Sequence, residues 1–222
     1  MKKVVTALQT GGGRSNRVKV FLDGGLAFSL DARVAAEEKL EVGQELSAEQ
    51  IEALLRSEHL RRCMDVAVRY LGYRPRSEAE IRERLQQRGF EREIRDTVIS
   101  RLTEKGLVDD AGFARFWKDS REAFRPRSQW LVKLELRRKG VASEIIDRVV
   151  AAIDDEDSAY HAAMAKARRL AGADQVSFRR RLGSYLRRRG FSAGAINRAL
   201  ERVWQDSADL PEGDVFRESE VK

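Results

Sequence analysis

Apolar positions along this chain follow two different periods, and the change of period divides it. Near the start they alternate with polar ones in short runs, Arg17-Val18-Lys19-Val20-Phe21-Leu22 and Leu26-Ala27-Phe28-Ser29-Leu30, rich in β-branched and aromatic residues. Asp23-Gly24-Gly25 joins the runs and predicts a β-hairpin, with Val4 to Gln9 as a third strand. Beyond the hairpin the spacing becomes helical. Asp31 predicts the cap of a helix running to about Leu40, and Ser47 with Gln50 carries the capping-box signature of a helix through Leu55. Leu60, Met64, Ala67, Val68 and Leu71 then mark the buried stripe of a helix over 59–71.

From there one phrase recurs. Tyr73-Arg74-Pro75-Arg76-Ser77 and Phe124-Arg125-Pro126-Arg127-Ser128 are each followed, twelve residues after the serine, by a glycine, Gly89 or Gly140. A third glycine, Gly190, completes a set in which Leu85, Leu136 and Leu186 stand four residues before the glycine and Phe90, Val141 and Phe191 follow it. The physical reading is one helix with both ends written out. Proline stops the preceding helix and the serine hydroxyl caps the next, with Glu80 completing a capping box at Ser77. The glycine takes the left-handed turn that ends the helix, bringing Leu85 to Phe90, Leu136 to Val141 and Leu186 to Phe191 in Schellman closures. After each glycine a new apolar period begins: Ile94, Val98, Leu102; Ile145, Val149, Ile153; Ile196, Leu200, Val203.

Glycines 51 and 50 residues apart imply a tandem array. The second unit opens at Asp109-Asp110 and the third near Asp157-Ser158, where Val176-Ser177-Phe178 replaces the Pro-Arg-Ser phrase. The expected architecture is mainly α: tandem three-helix repeats, about nine helices in all, forming an elongated curved array behind a small N-terminal α+β segment. The expected parts are 1–57, the hairpin with short helices; 58–108, 109–154 and 155–205, the repeats; and 206–222, an acidic, disordered tail.

Composition narrows the class. The 222 residues, 42% hydrophobic and 36% charged, suffice for a core but not for a membrane span, and the N-terminus lacks the apolar run of a signal peptide. One cysteine, Cys63, cannot make an internal disulfide and fits a reducing cytosol, so a cytoplasmic location is expected. The net charge of +7 is unevenly spread: residues 1–57 balance, residues 58–205 hold 33 basic against 22 acidic residues, and residues 206–222 hold two against six. The basic array points to a polyanion or an acidic protein surface as partner.

Little else carries chemistry. Asp109 and Asp110 read as helix caps rather than a catalytic carboxylate pair. His59 and His161 lack partners at metal-ligand spacing, and no serine or cysteine sits in a nucleophile motif, so neither catalysis nor a cofactor is expected. Gly11-Gly12-Gly13 reads as a flexible loop, because the helix and Lys-Ser/Thr pair of a phosphate cradle do not follow it. Trp117, Trp130 and Trp204 occupy apolar helical positions and read as packing residues.

The arginines remain. Arg179, Arg180, Arg181, Arg187, Arg188 and Arg189 lie within eleven residues without an acid, and Arg137, Arg138 and Lys139 repeat the theme. One reading is a solvated face with cations favoured at helix C-termini. The other is contact with phosphates or acidic side chains, which so dense an uncompensated cluster favours.

Gly106-Leu107-Val108-Asp109-Asp110 with Phe113-Ala114 and Arg121, the Lys139-Gly140-Val141 turn, Leu186-Arg187-Arg188-Arg189-Gly190-Phe191 and Arg76-Ser77-Glu78-Ala79-Glu80-Ile81 together closely resemble RecX regulatory proteins. The resemblance covers most of 58–205. It implies a non-enzymatic modulator of the RecA recombinase, lying along the RecA filament on DNA and restraining its growth, ATP hydrolysis and strand exchange, within DNA repair and the SOS response. The expected RecA- or DNA-contacting set adds Arg74, Arg76, Arg125 and Arg127 of the repeated phrase to the arginine clusters. The expected partners are the RecA filament and, directly, single- or double-stranded DNA, with no membrane, for a monomeric chain. Two other readings stand beside it: a sequence-tolerant DNA-binding protein that affects RecA by competing for the strand, and a helical-repeat adaptor for an unrelated acidic protein.

Overall fold

The computed structural model describes residues 1–11, 16–168, 170 and 174–208. Four strands come first: β1 (Lys3–Thr10), β2 (Arg17–Leu22), β3 (Gly25–Asp31) and, after the short helix α1 (Ala32–Glu37), β4 (Glu45–Leu46). They form one antiparallel sheet in the order β3-β2-β1-β4. The hairpin turns at Asp23 and Gly24, both with positive φ, as the Asp-Gly signal predicts. Val18, Val20 and Leu22 alternate inward along β2 and meet Val5, Leu30, Val34 and Leu54 in a core of their own. The two-residue strand β4 carries no alternation to read, and its pairing with Lys3 and Val4 is set by tertiary structure.

The helices α2 (Ala48–Leu71), α3 (Glu78–Gln87) and α4 (Arg92–Glu104) follow. Ser47 and Gln50 make the full capping box at the start of α2. The two helices expected on either side of residue 57 are one continuous helix. Arg56-Ser57-Glu58 contains no glycine or proline to break it. Glu58 is buried and accepts from the Asp31 N–H and from Arg17, which ties the middle of α2 to the sheet. The chain divides into two compact units, and the first comprises Met1–Arg76 and Glu80–Val108. Its second core holds Cys63, Ala67, Ile81, Leu85, Val98, Ile99, Leu102 and Val108.

The second unit comprises Ser77–Ala79 and everything from Asp109 onward. It holds α5 (Asp110–Phe124), α6 (Gln129–Arg138) and α7 (Ser143–Val150), then α8 (Asp155–Ala167), α9 (Gln175–Arg188) and α10 (Ala193–Ala208). Each triplet has its own core, one centred on Phe113, Val132, Leu136 and Ile146, the other on Ala162, Phe178, Leu182, Leu186 and Val203. The described residues thus contain ten helices, three triplets and α1, behind a small sheet: mainly α, in tandem three-helix repeats. The tail expected from residue 206 is helical through Ala208, and its remainder lies outside the described residues, as do Gly12 and Gly13.

The three glycine turns close as the sequence implies. Phe90, Val141 and Phe191 donate their N–H groups to the carbonyls of Leu85, Leu136 and Leu186 at 3.2, 3.2 and 3.4 Å. Ser128 caps α6 through the Leu131 N–H, and Asp109 caps α5 through the Ala111 N–H. In the third repeat, which lacks the phrase, the cap is Asp174, which accepts from the Ser177 N–H, so α9 starts about one turn earlier than its counterparts. The first helix of that repeat also starts earlier than Asp157, capped by Asp154.

Candidate cationic interaction surface

Within the second unit, consecutive segments are fastened by a junction that occurs twice. Ser77 Oγ donates to the Lys139 carbonyl at 2.7 Å, and the Ser128 N–H donates to the Arg189 carbonyl at 3.1 Å. One residue on, the Glu78 N–H donates to Asp110 and the Gln129 N–H to Asp155. The serine of each phrase therefore meets the glycine turn 62 or 61 residues later, and the next residue meets an acid at the start of a following helix.

The junction consumes some of the predicted cations. Arg189 donates to the Pro126 carbonyl at 2.8 Å and stacks on Tyr185. Arg127 and Arg121 both bind Glu135, which also accepts from Trp117 Nε1 at 2.7 Å, so three donors converge on one carboxylate only 11% exposed. Burial lowers the pKa of Arg121, and burial followed by the charges of Arg121, Arg189 and Arg125 lowers that of Arg127. Lys139 lies over the Trp117 ring. In the first unit Arg74 grips Glu80 through both terminal nitrogens, and Arg76 stacks 4.0 Å above Tyr70. These side chains hold the fold, whatever else they touch.

The others face solvent. Arg125, Arg137 and Arg138 are exposed, as are Arg180, Arg181, Arg187 and Arg188, while Arg179 is half-buried. Phe178, Leu182, Gly183 and Leu186 bury one side of α9. The pairs Arg180 with Arg187 and Arg181 with Arg188, each seven residues apart, run along the other. Among the described residues none of these exposed guanidiniums has an acidic partner. Arg137 and Arg138 hold the same place before Gly140 that Arg187 and Arg188 hold before Gly190, so the free cations repeat with the fold.

Trp117 packs against Phe113 in the core of its repeat, and Trp204 meets Phe178 edge-on. Trp130, read from the sequence as a packing residue, is 64% exposed, with its ring edge 3.2 Å from where a Cβ on Gly190 would stand. No three His, Cys, Asp or Glu side chains among the described residues form a group that could hold a metal. No described helix is long and apolar enough to cross a membrane.

Three family models match in tandem: RecX first three-helix domain at residues 63–102, second at 109–150 and third at 154–200. The chain is 28% identical over 199 residues to Regulatory protein RecX of Clostridium beijerinckii, covering 87% of this chain and 92% of that one. It is 32% identical over 145 residues to its counterpart in Chlorobium phaeobacteroides, covering 65% and 95%. Against the longer protein of Lactobacillus delbrueckii subsp. bulgaricus it is 33% identical over 144 residues but spans about half, 53%, of its length. A crystal structure of regulatory protein RecX superposes with a TM-score of 0.65 at 21% identity over 88% of this chain and 97% of that one, a likeness of fold.

Proposed function

The chain belongs to the RecX family of regulatory proteins, and from that premise we propose that it restrains the RecA recombinase by binding the RecA–DNA filament. Binding limits filament extension, ATP hydrolysis and strand exchange, without catalysis by the chain itself. The observation that carries this reading is the repeated set of free arginines, Arg137 and Arg138 on α6 and Arg180, Arg181, Arg187 and Arg188 on α9. Cations that recur with the repeat suit a partner that repeats too, such as successive protomers of a protein filament or successive phosphates of the strand it coats. Arginine forks bind carboxylates and phosphates bidentately, so they serve either surface.

The mechanism is differential binding. A protein that fits one state of a filament better than another shifts the population toward it, by no more than the difference in affinity. The chain acts as a monomer in the cytoplasm on this reading, with Arg125 extending the contact surface and Arg74, Arg76, Arg127, Lys139 and Arg189 supporting it from within. The second reading, competition for DNA, draws on the same free guanidiniums. An Arg187→Glu, Arg188→Glu variant separates fold from contact, because both side chains are exposed and unpaired. It should retain its thermal midpoint and lose inhibition of RecA; full inhibition by a folded variant removes this cluster from the mechanism.

A further inference from the structure

The first unit contains a cavity of about 370 Å³ apart from the cationic surface of the second unit. Four segments build it, the end of β3 supplying Asp31. Arg61, Arg62, Asp65, Val66 and Arg69 come from consecutive turns of one face of α2, Arg17 comes from β2, and Arg88 and Phe90 come from the glycine turn after α3. Five guanidiniums thus converge on one concavity against two carboxylates, Asp31 and Asp65.

The two acids are already engaged. Asp31 accepts from the Arg33 N–H and from Asn16 as the cap of α1. Asp65 faces Arg61, with Arg61 Nε 3.4 Å from its Oδ1 and otherwise buried without a hydrogen-bond partner. Arg17 is held by Glu58 and Ser29. That leaves the side chains of Arg62, Arg69 and Arg88 exposed, with no side-chain hydrogen bond or ion pair among the described residues.

Arg88 shows what the site lacks. Its counterparts before the other glycine turns are both occupied, Lys139 over Trp117 and Arg189 on the Pro126 carbonyl and Tyr185. Guanidiniums gathered in a concavity repel one another until an anion joins them, and their planar forks match phosphate oxygens. Phe90 and Val66 add an apolar wall, and the volume falls within the range of small-ligand pockets.

We propose that this cavity is a phosphate-binding site, taking a ligand with several phosphate charges: the phosphate chain of a nucleotide or consecutive phosphates of a nucleic-acid strand. The site lies wholly in the first unit and does not depend on contact with RecA.

The test uses the full chain without RecA and three probes, inorganic triphosphate, ATP and oligo(dT), by titration calorimetry and by shift of the thermal midpoint. Arg62→Ala, Arg69→Ala, Arg88→Ala is the main variant, and Arg62→Lys, Arg69→Lys, Arg88→Lys keeps the charge without the fork. The alanine variant should keep the unliganded midpoint and bind at least one probe about tenfold or more weakly, with the lysine variant between. Triphosphate and ATP lost with oligo(dT) intact identifies a nucleotide site. Oligo(dT) weakened, with its salt slope reduced by roughly 0.7 per lost contact, identifies a strand site. Equal binding of every probe by the wild-type and alanine proteins, or no binding of any probe by the wild type, overturns the proposal.

Discussion

Ser77 Oγ lies 2.7 Å from the carbonyl oxygen of Lys139, a residue 62 positions further along the chain, and donates a hydrogen bond to it. The equivalent turn at Gly190 receives the N–H of Ser128. Both serines are fully buried, and Ser128 is a cap and a fastener at once.

The glycines of these turns should differ in tolerance. All three have positive φ, but a Cβ on Gly89 meets nothing within 4 Å, whereas one on Gly140 would lie 2.4 Å from Ala79 Cβ and one on Gly190 2.5 Å from Ser128 Oγ. Gly89→Ala should cost about 1 kcal/mol, the left-handed penalty alone. Gly140→Ala and Gly190→Ala should each cost about 2 to 4 kcal/mol, because the overlap adds to it. Urea denaturation measures all three, and equal losses would contradict the junction.

Glu135 should be the costliest single acid to remove from the second unit. Glu135→Ala strands Trp117 Nε1, Arg121 and Arg127 together, and two of these are cations that burial already disfavours. A loss of about 2 to 3 kcal/mol is expected. Glu135→Gln, which keeps an acceptor but not the charge, should lose less; a thermal midpoint unchanged in both would show that the carboxylate organises nothing.

Asp155 and Asp174 should respond to pH with opposite sign. Burial raises the Asp155 carboxyl above the ordinary carboxylate range, the Gln129 N–H opposes it and the Asp154 charge adds to it. The folded state holds that proton more tightly than the unfolded chain, so this group's contribution declines as pH rises from the ordinary carboxylate value through the raised one. Asp174 is lowered by hydrogen bonds from the backbone and side chain of Ser177. Its contribution is complete above the ordinary value and is lost as pH falls through the lowered one. Near neutral pH Asp155→Asn should therefore match or exceed wild-type stability while Asp174→Asn falls below it, the latter difference closing in acid. Urea midpoints across the acid range decide, and the reverse ranking would refute the assignment.

Cys63 is fully buried, and burial pushes its thiol up to about 11 against the opposing pull of Arg95. The thiol should therefore be unreactive toward a thiol-specific reagent at mildly alkaline pH until the chain is unfolded. Rapid labelling of the native protein would show that the first unit opens around it.

These relationships mark what could be read from one sequence. The repeats were legible because proline, serine and glycine act locally on the backbone, and their order states a start and a stop. The continuity of α2 was not, because it rests on Glu58 meeting Arg17 and Asp31, 41 and 27 residues away. Nor was the early start of α9, where Asp174 caps the helix ahead of the segment that replaces the phrase. At the candidate surface, sequence density located the arginines but could not sort them. Arg127 and Arg187 look alike in the chain, yet one is bound to Glu135 and the other faces solvent. Arg62, Arg69 and Arg88 form no run in the chain; only folding brings them to one cavity.

The central claim is action on the filament, and the most direct measurement is single-stranded-DNA-dependent ATP hydrolysis by RecA, titrated with this protein at saturating DNA and repeated with several-fold more DNA. The account predicts inhibition at amounts well below that of RecA, unchanged by the added DNA. Inhibition that the added DNA relieves, or none at all, would contradict it.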